Sequence, residues 1–148
     1  MEVKIMAFDG ITVSALVAEI DDNLKGGRIN KIAQPENDEL LITGKGDNGQ
    51  KRLLLSASAS LPLIYFTDKN RISPLTAPNF CMLLRKHIGS ARILDVKQPG
   101  MERVVEFELE HLNELGDPCR KRLIMELMGK HSNIIFCDEK GMILDSIK

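Results

Sequence analysis

The alternating run 102–110 opens with a carboxylate beside a guanidinium, Glu102-Arg103, just after the turn-forming pair Pro99-Gly100. A guanidinium at a strand's end can make two parallel hydrogen bonds to a phosphate. The same pair can instead close as an ion pair on the rim of the fold. Val105, Phe107 and Leu109 share the core parity, while Glu102, Val104, Glu106, Glu108 and Glu110 share the outward one. Arg103 has inward parity, but at the strand's entrance its head group can clear the core. On the run 121–128, Leu123, Met125 and Leu127 face one way and Arg122, Ile124, Glu126 and Met128 the other. Ile124 and Met128 around Glu126 form either a semi-apolar contact surface or a second covered sheet face. Charge is segregated along these stretches. Residues 102–117 carry one arginine against six acids, and residues 119–131 carry four bases against one acid. Paired antiparallel, the two stretches neutralise each other. Unpaired, Arg122 and Lys130 are candidate phosphate contacts, as is Arg85 on a helix.

Other patterns carry less. Gly44-Lys45-Gly46-Asp47-Asn48-Gly49 matches GxGxxG, but a strand-like run follows it. A dinucleotide site needs a helix N-terminus for the pyrophosphate, so this is a hairpin loop. His87, His111 and His131 share no metal-ligand spacing, and no metal or cofactor is expected. His87 ends a helix beside Arg85 and Lys86, where a cation suits the dipole. Cys81, near the start of that helix, is either a low-pKa thiol or a packing residue.

The whole chain has 148 residues, a net charge of −1, 43% hydrophobic and 28% charged residues. This is one globular domain, able to bury about two-thirds of its unfolded surface without staples. The charge balance excludes a bulk electrostatic nucleic-acid binder but not a local patch. With 4% aromatics and no Trp, a platform that stacks several bases is excluded too. Three cysteines without a CxxC pair point to a reduced, cytoplasmic protein. The N-terminus has no apolar signal-peptide core, and no stretch reaches the ~20 apolar residues of a membrane span.

The elements that must position these residues come in two similar sets. Val13, Leu16, Val17, Ile20 and Leu24 recur at helical spacing over 11–25, with Asp9 or Thr12 as cap and Gly26-Gly27 as stop. A second helix spans 79–88, with Pro78 at its first turn. Strands are expected at 28–33, 39–43, 51–56, 63–67, 92–97, 103–110, 121–128, 133–137 and 143–147. Arg28-Ile29 and Gln34-Pro35 recur as Arg92-Ile93 and Gln98-Pro99 at an offset of 64. Each half thus reads helix, strand, Gln-Pro turn and three more strands, over about 11–68 and 79–138. Two four-stranded halves must bury a face each. The expectation is an α+β fold: a β-sandwich or flattened barrel with two helices over its open ends. The chain stops in strand-like sequence, as an N-terminal piece of a longer protein would.

Five strings carry a family resemblance: Met6 to Gly10, Gly26 to Ile29, Pro78 to His87, Gly100 to Arg103, and Glu126 to Asn133. Phe80-Cys81-Met82-Leu83-Leu84-Arg85-Lys86-His87 and Met128-Gly129-Lys130-His131-Ser132-Asn133 are the specific ones. Together they resemble the N-terminal NFACT domain of the RqcH, fibronectin-binding protein A and NEMF family, over essentially the whole chain after Ile5.

The resemblance implies a ribosome-associated quality-control factor. Such a factor binds the large ribosomal subunit and recruits transfer RNA (tRNA), charged with alanine in bacteria, for untemplated C-terminal tailing. The ribosome does the peptidyl transfer, so the chain is expected to be a binding module and not an enzyme. The family's Asp-Arg pair for tRNA falls on Glu102-Arg103, with a carboxylate one methylene longer. Its Glu-Ile-Met contact falls on Glu126-Leu127-Met128. The older family name implies the alternative, a fibronectin- or fibrinogen-binding surface adhesin. The family fold is similar to the N-terminal domain of formamidopyrimidine-DNA glycosylases. Those enzymes need an N-terminal Pro-Glu, and here Met1 is followed by Glu2 and Val3, so base excision is not expected.

Overall fold

A computed structural model describes residues 9–47, 49–69 and 71–148. The N-terminal string Met6-Ala7-Phe8 and the Met1-Glu2-Val3 start lie outside the described residues, as does Asn48 of the GxGxxG loop. Helix α1 spans Gly10–Leu24 and buries Val13, Val17, Ile20 and Leu24. Its cap is Asp9, whose Oδ1 accepts from the Thr12 N–H at 2.7 Å. That bond holds the Asp9 carboxyl below the ordinary carboxylate range.

Strands β1 (Arg28–Glu36), β2 (Glu39–Gly46), β3 (Gly49–Ser56) and β4 (Leu63–Thr67) follow. Helix α2 (Asn79–Ile88) then buries Phe80, Cys81, Leu84 and Ile88. The second set is β5 (Arg92–Lys97), β6 (Val104–Leu112), β7 (Pro118–Glu126) and β8 (Asn133–Asp138), with β9 (Ile143–Ser146) added at the end.

All nine strands form one antiparallel sheet in the order β4-β3-β2-β1-β5-β6-β7-β8-β9. The α+β class holds, and of the sandwich or flattened barrel expected, a sandwich of two separate sheets is corrected: the two halves are continuous through β1 and β5. The register there is a single pair, Arg28 opposite Arg92. Ile29 N–H donates to Ala91 O and Ile93 N–H donates to Gly27 O, both at 2.8 Å. These two bonds exchange under the 64-residue offset, so the joint is pseudo-twofold. One core serves both halves, uniting α1 and α2 with Leu40, Leu53 and Ile64 on one side and Val105, Leu123 and Ile134 on the other. The helices cross over, α1 packing on β5 and α2 on β1.

A second correction concerns the turns. β1 runs on through Gln34-Pro35 to Glu36, and Glu36 pairs with Glu39, so the turn is Asn37-Asp38. Gln34 and Gln98 instead brace the connections: Gln34 Nε2 donates to Asn37 O at 3.1 Å, and Gln98 Nε2 to Glu102 O at 2.7 Å. The hairpin reading of 44–49 agrees with the structure, because Gly46 pairs with Gly49.

Each half has a register shift near the joint, and the opposite helix satisfies the backbone there. Asp21 Oδ1 accepts from the Val96 N–H at 3.0 Å. At the equivalent position Arg85 Nε donates to Ile32 O at 2.8 Å. Removing Asp21 strands a buried N–H, since Val96 is 3% exposed. Asp21→Ala is expected to destabilise by about 1–3 kcal/mol, measured as a lowered denaturant midpoint with unchanged slope.

Candidate nucleic-acid interface

Arg103 and the run 126–128 are brought to one rim. β6 begins at Val104, which pairs with Glu126 at the end of β7. One step beyond, Leu127 N–H donates to Arg103 O at 2.9 Å, so the ladder continues past both strand ends. Glu102 and Arg103 are exposed, and the Arg103 guanidinium has neither an ion pair nor a hydrogen bond among the described residues. Of the two openings left by the sequence, the self-closed ion pair is not the one adopted.

The loop that carries this pair is held from behind. Gln98 Nε2 donates to Gly10 O at 2.9 Å as well as to Glu102 O, tying the loop to the start of α1. Gly10 is needed at that contact, because a Cβ there would overlap the Met101 carbonyl. Met101 itself is 60% exposed beside the arginine.

The second wall is the connection after β7. Gly129 adopts φ +57°, a conformation that favours glycine, and opens the 3-10 turn Gly129–His131. Ser132 is fully buried and its Oγ accepts from the Met128 N–H at 2.8 Å. Lys130 and His131 stand exposed on that turn, and Glu126 and Met128 are half-buried.

Three expected contacts are relocated. Leu127 is 1% exposed and belongs to the main core, so its side chain anchors the rim and cannot touch a ligand. Arg122 lies 3.5 Å from Glu106, and Glu108 lies 3.8 Å from both Lys97 and Arg120. The segregated charges of β6 and β7 therefore neutralise each other across the sheet, and Arg122 is not a free phosphate contact. Arg85 is not at this rim at all; it sits with α2 near the sheet joint. Val104, assigned outward, is 7% exposed. Ile124 is half-buried.

Burial governs the titratable groups elsewhere. Burial pushes the Cys81 thiol up, against the low-pKa alternative, and its Sγ lies 3.7 Å from Ile32 O. Burial likewise raises Cys137. His87 packs edge-on to His111 at 6.3 Å and against Phe136 at 5.9 Å. Burial first, then nearby cations such as Lys121, holds His87 below the ordinary imidazole value. His111 is lowered by burial as well. Among the described residues no group of His, Cys, Asp or Glu is arranged to hold a metal ion. No helix among them is long and apolar enough to cross a membrane.

What the rim offers is a guanidinium fork, two carboxylates and two thioethers on a braced backbone. Arg reads paired acceptors on a base edge or a phosphate, and Glu accepts from exocyclic amino groups. Residues 9–148 match the family described as NFACT N-terminal and middle domains. The chain belongs to the NFACT family. It is 39% identical over 146 residues to the Rqc2 homolog RqcH of Bacillus subtilis, covering 97% of this chain and 25% of that protein. It is 28% identical over 141 residues to the ribosome quality control complex subunit NEMF of Homo sapiens, covering 95% of this chain and 12% of that protein. The chain thus spans only a quarter or less of the length of these relatives. Among solved structures, the N-terminal domain of the fibronectin-binding protein PavA of Streptococcus pneumoniae superposes with a TM-score of 0.92 at 38% identity. That match covers 96% of this chain and 54% of the other.

Proposed function

We propose that this chain is the RNA-reading piece of a ribosome-associated quality-control factor, which binds tRNA at the Arg103 rim and works on the large ribosomal subunit. It positions tRNA for untemplated, alanine-type tailing of stalled chains, and the ribosome performs the peptidyl transfer. The observation that carries this reading is the convergence of Glu102-Arg103 and Glu126-Leu127-Met128 on one rim, with the guanidinium exposed and unpaired among the described residues. The names of the full-length relatives, RqcH and NEMF, support the same setting.

The rim itself is not strongly positive, since Arg103 and Lys130 are matched in number by Glu102 and Glu126. It suits directional reading of a folded RNA rather than bulk attraction. Anisotropy titration of fluorescent tRNA against the 148-residue chain tests this, with soluble fibronectin as competitor. Saturable tRNA binding that fibronectin does not displace is the expected result. Absence of tRNA binding, with tight binding of fibronectin instead, would transfer the rim to the adhesin reading.

A further inference from the structure

A concentration of cations lies away from this rim. A cleft of about 890 Å³ opens where the two halves of the sheet join. Its walls carry Arg28 and Lys31 from β1, Arg85 and Lys86 from α2, and Arg92 from β5, against one carboxylate, Glu110. All five cations are exposed. None lies within 4.0 Å of a carboxylate oxygen among the described residues, Glu110 included.

The helix dipole accounts for part of this set. Arg85 and Lys86 occupy the last turn of α2, where cations offset the negative end. It does not account for Arg28, Lys31 and Arg92, which come from strands. Arg28 and Arg92 stand directly opposite each other in the register. Like charges in that position destabilise a sheet. Glu110, opposite Arg92 on the β6 side of the register, offsets part of this repulsion, but one carboxylate against five cations leaves the cleft positive. The partial anchors fit the same view. Arg28 Nη1 donates to Ser90 O at 3.3 Å and Arg85 Nε to Ile32 O, fixing the stems while leaving the remaining N–H groups to solvent.

We propose that this cleft binds a stretch of RNA phosphodiester backbone, separate from the RNA segment read at Arg103. The inference rests on the RNA-binding reading above and adds a second contact to it. The two sites lie at opposite ends of β6: Val104 adjoins the rim, whereas Glu110 and Leu112 line the cleft. Nine strand residues span roughly 27 Å, far more than one nucleotide. The ligand that fits both is a folded RNA that presents its backbone at one place and its bases at another. Guanidiniums from two strands suit phosphate oxygens through forked donation, which an isolated ammonium does not supply. The cleft then provides the salt-dependent affinity that the near-neutral rim lacks.

The test is salt-dependent anisotropy of fluorescent tRNA on the 148-residue chain, comparing wild type, the double variant Arg28→Gln/Arg92→Gln, and Arg103→Ala. The double variant is expected to weaken binding and to flatten the slope of log K against log salt by about 1.4–1.8. Arg103→Ala is expected to weaken binding with a smaller change in slope. Should the arginine pair fail to fold, Lys31→Gln/Lys86→Gln on exposed side chains reports on the same cleft. An unchanged slope in a folded cleft variant, with Arg103→Ala still defective, overturns the cleft and leaves the rim reading intact. Unchanged binding in both overturns both. If the cleft variant loses poly-glutamate binding while its tRNA slope is unchanged, the groove receives an acidic protein segment and the inference fails.

Discussion

Arg103→Ala is expected to cost about 1–3 kcal/mol of tRNA affinity, roughly a 5- to 150-fold loss, with the fold intact. The side chain is exposed and contributes no hydrogen bond or ion pair to the described structure, so stability should stay within about 0.5 kcal/mol of wild type. The charge alone is not the active feature. Lysine keeps the charge but loses the fork, so Arg103→Lys should recover only part of the affinity. Parallel anisotropy and denaturant titrations separate the two effects. A variant that binds tRNA as the wild type does, or one that unfolds, contradicts the role given to this guanidinium.

Leu127→Ala should do the reverse. The side chain is 1% exposed within the main core, and its N–H is the last rung that holds Arg103 beside Glu126. Truncation removes buried methyl groups and leaves a cavity, at about 2–5 kcal/mol. That is a large part of a typical domain's stability of about 5–15 kcal/mol. The denaturant midpoint should fall sharply. Met128→Ala, at a half-buried position one residue on, should change stability far less. A small effect at Leu127 would mean that the rim is not built on the core.

The elements themselves were legible because each half alternates helical and strand periods cleanly. Val13, Val17, Ile20 and Leu24 are buried at the positions that the 3.6-residue repeat selects. The 64-residue echo also pointed to paired halves. What local pattern could not supply was the joint, where a single register pair and three flanking backbone bonds make two sheets into one. The turn after β1 was misplaced because Pro35 reads as a breaker, whereas a register shift lets it stay within the strand, buried.

At the site, Arg103 was legible from its place before an alternating strand. Its adjacency to Glu126 was not, because it depends on the pairing of β6 with β7. That same pairing removes Arg122 from the candidates, since it brings Glu106, the diagonal neighbour on β6, within ion-pair distance. Leu127 shows the limit of carrying over a motif string: its parity already placed it with Leu123 and Met125, and the core claims it. The Arg28–Arg92 cleft is not legible from local pattern because these two cations are 64 residues apart. The identical echo of Arg28 in Arg92 was the one available signal, and the fold turns that echo into contact across the pseudo-twofold joint.

The central claim is that the rim around Arg103 is the RNA-reading surface. Residue-resolved NMR of the isotope-labelled 148-residue chain, titrated with tRNA, addresses it directly. The account predicts that signals of Glu102, Arg103, Met128 and Lys130 shift together at low tRNA, with the β4 edge unmoved. Saturating tRNA that leaves those four signals in place while perturbing the β4 edge would contradict it.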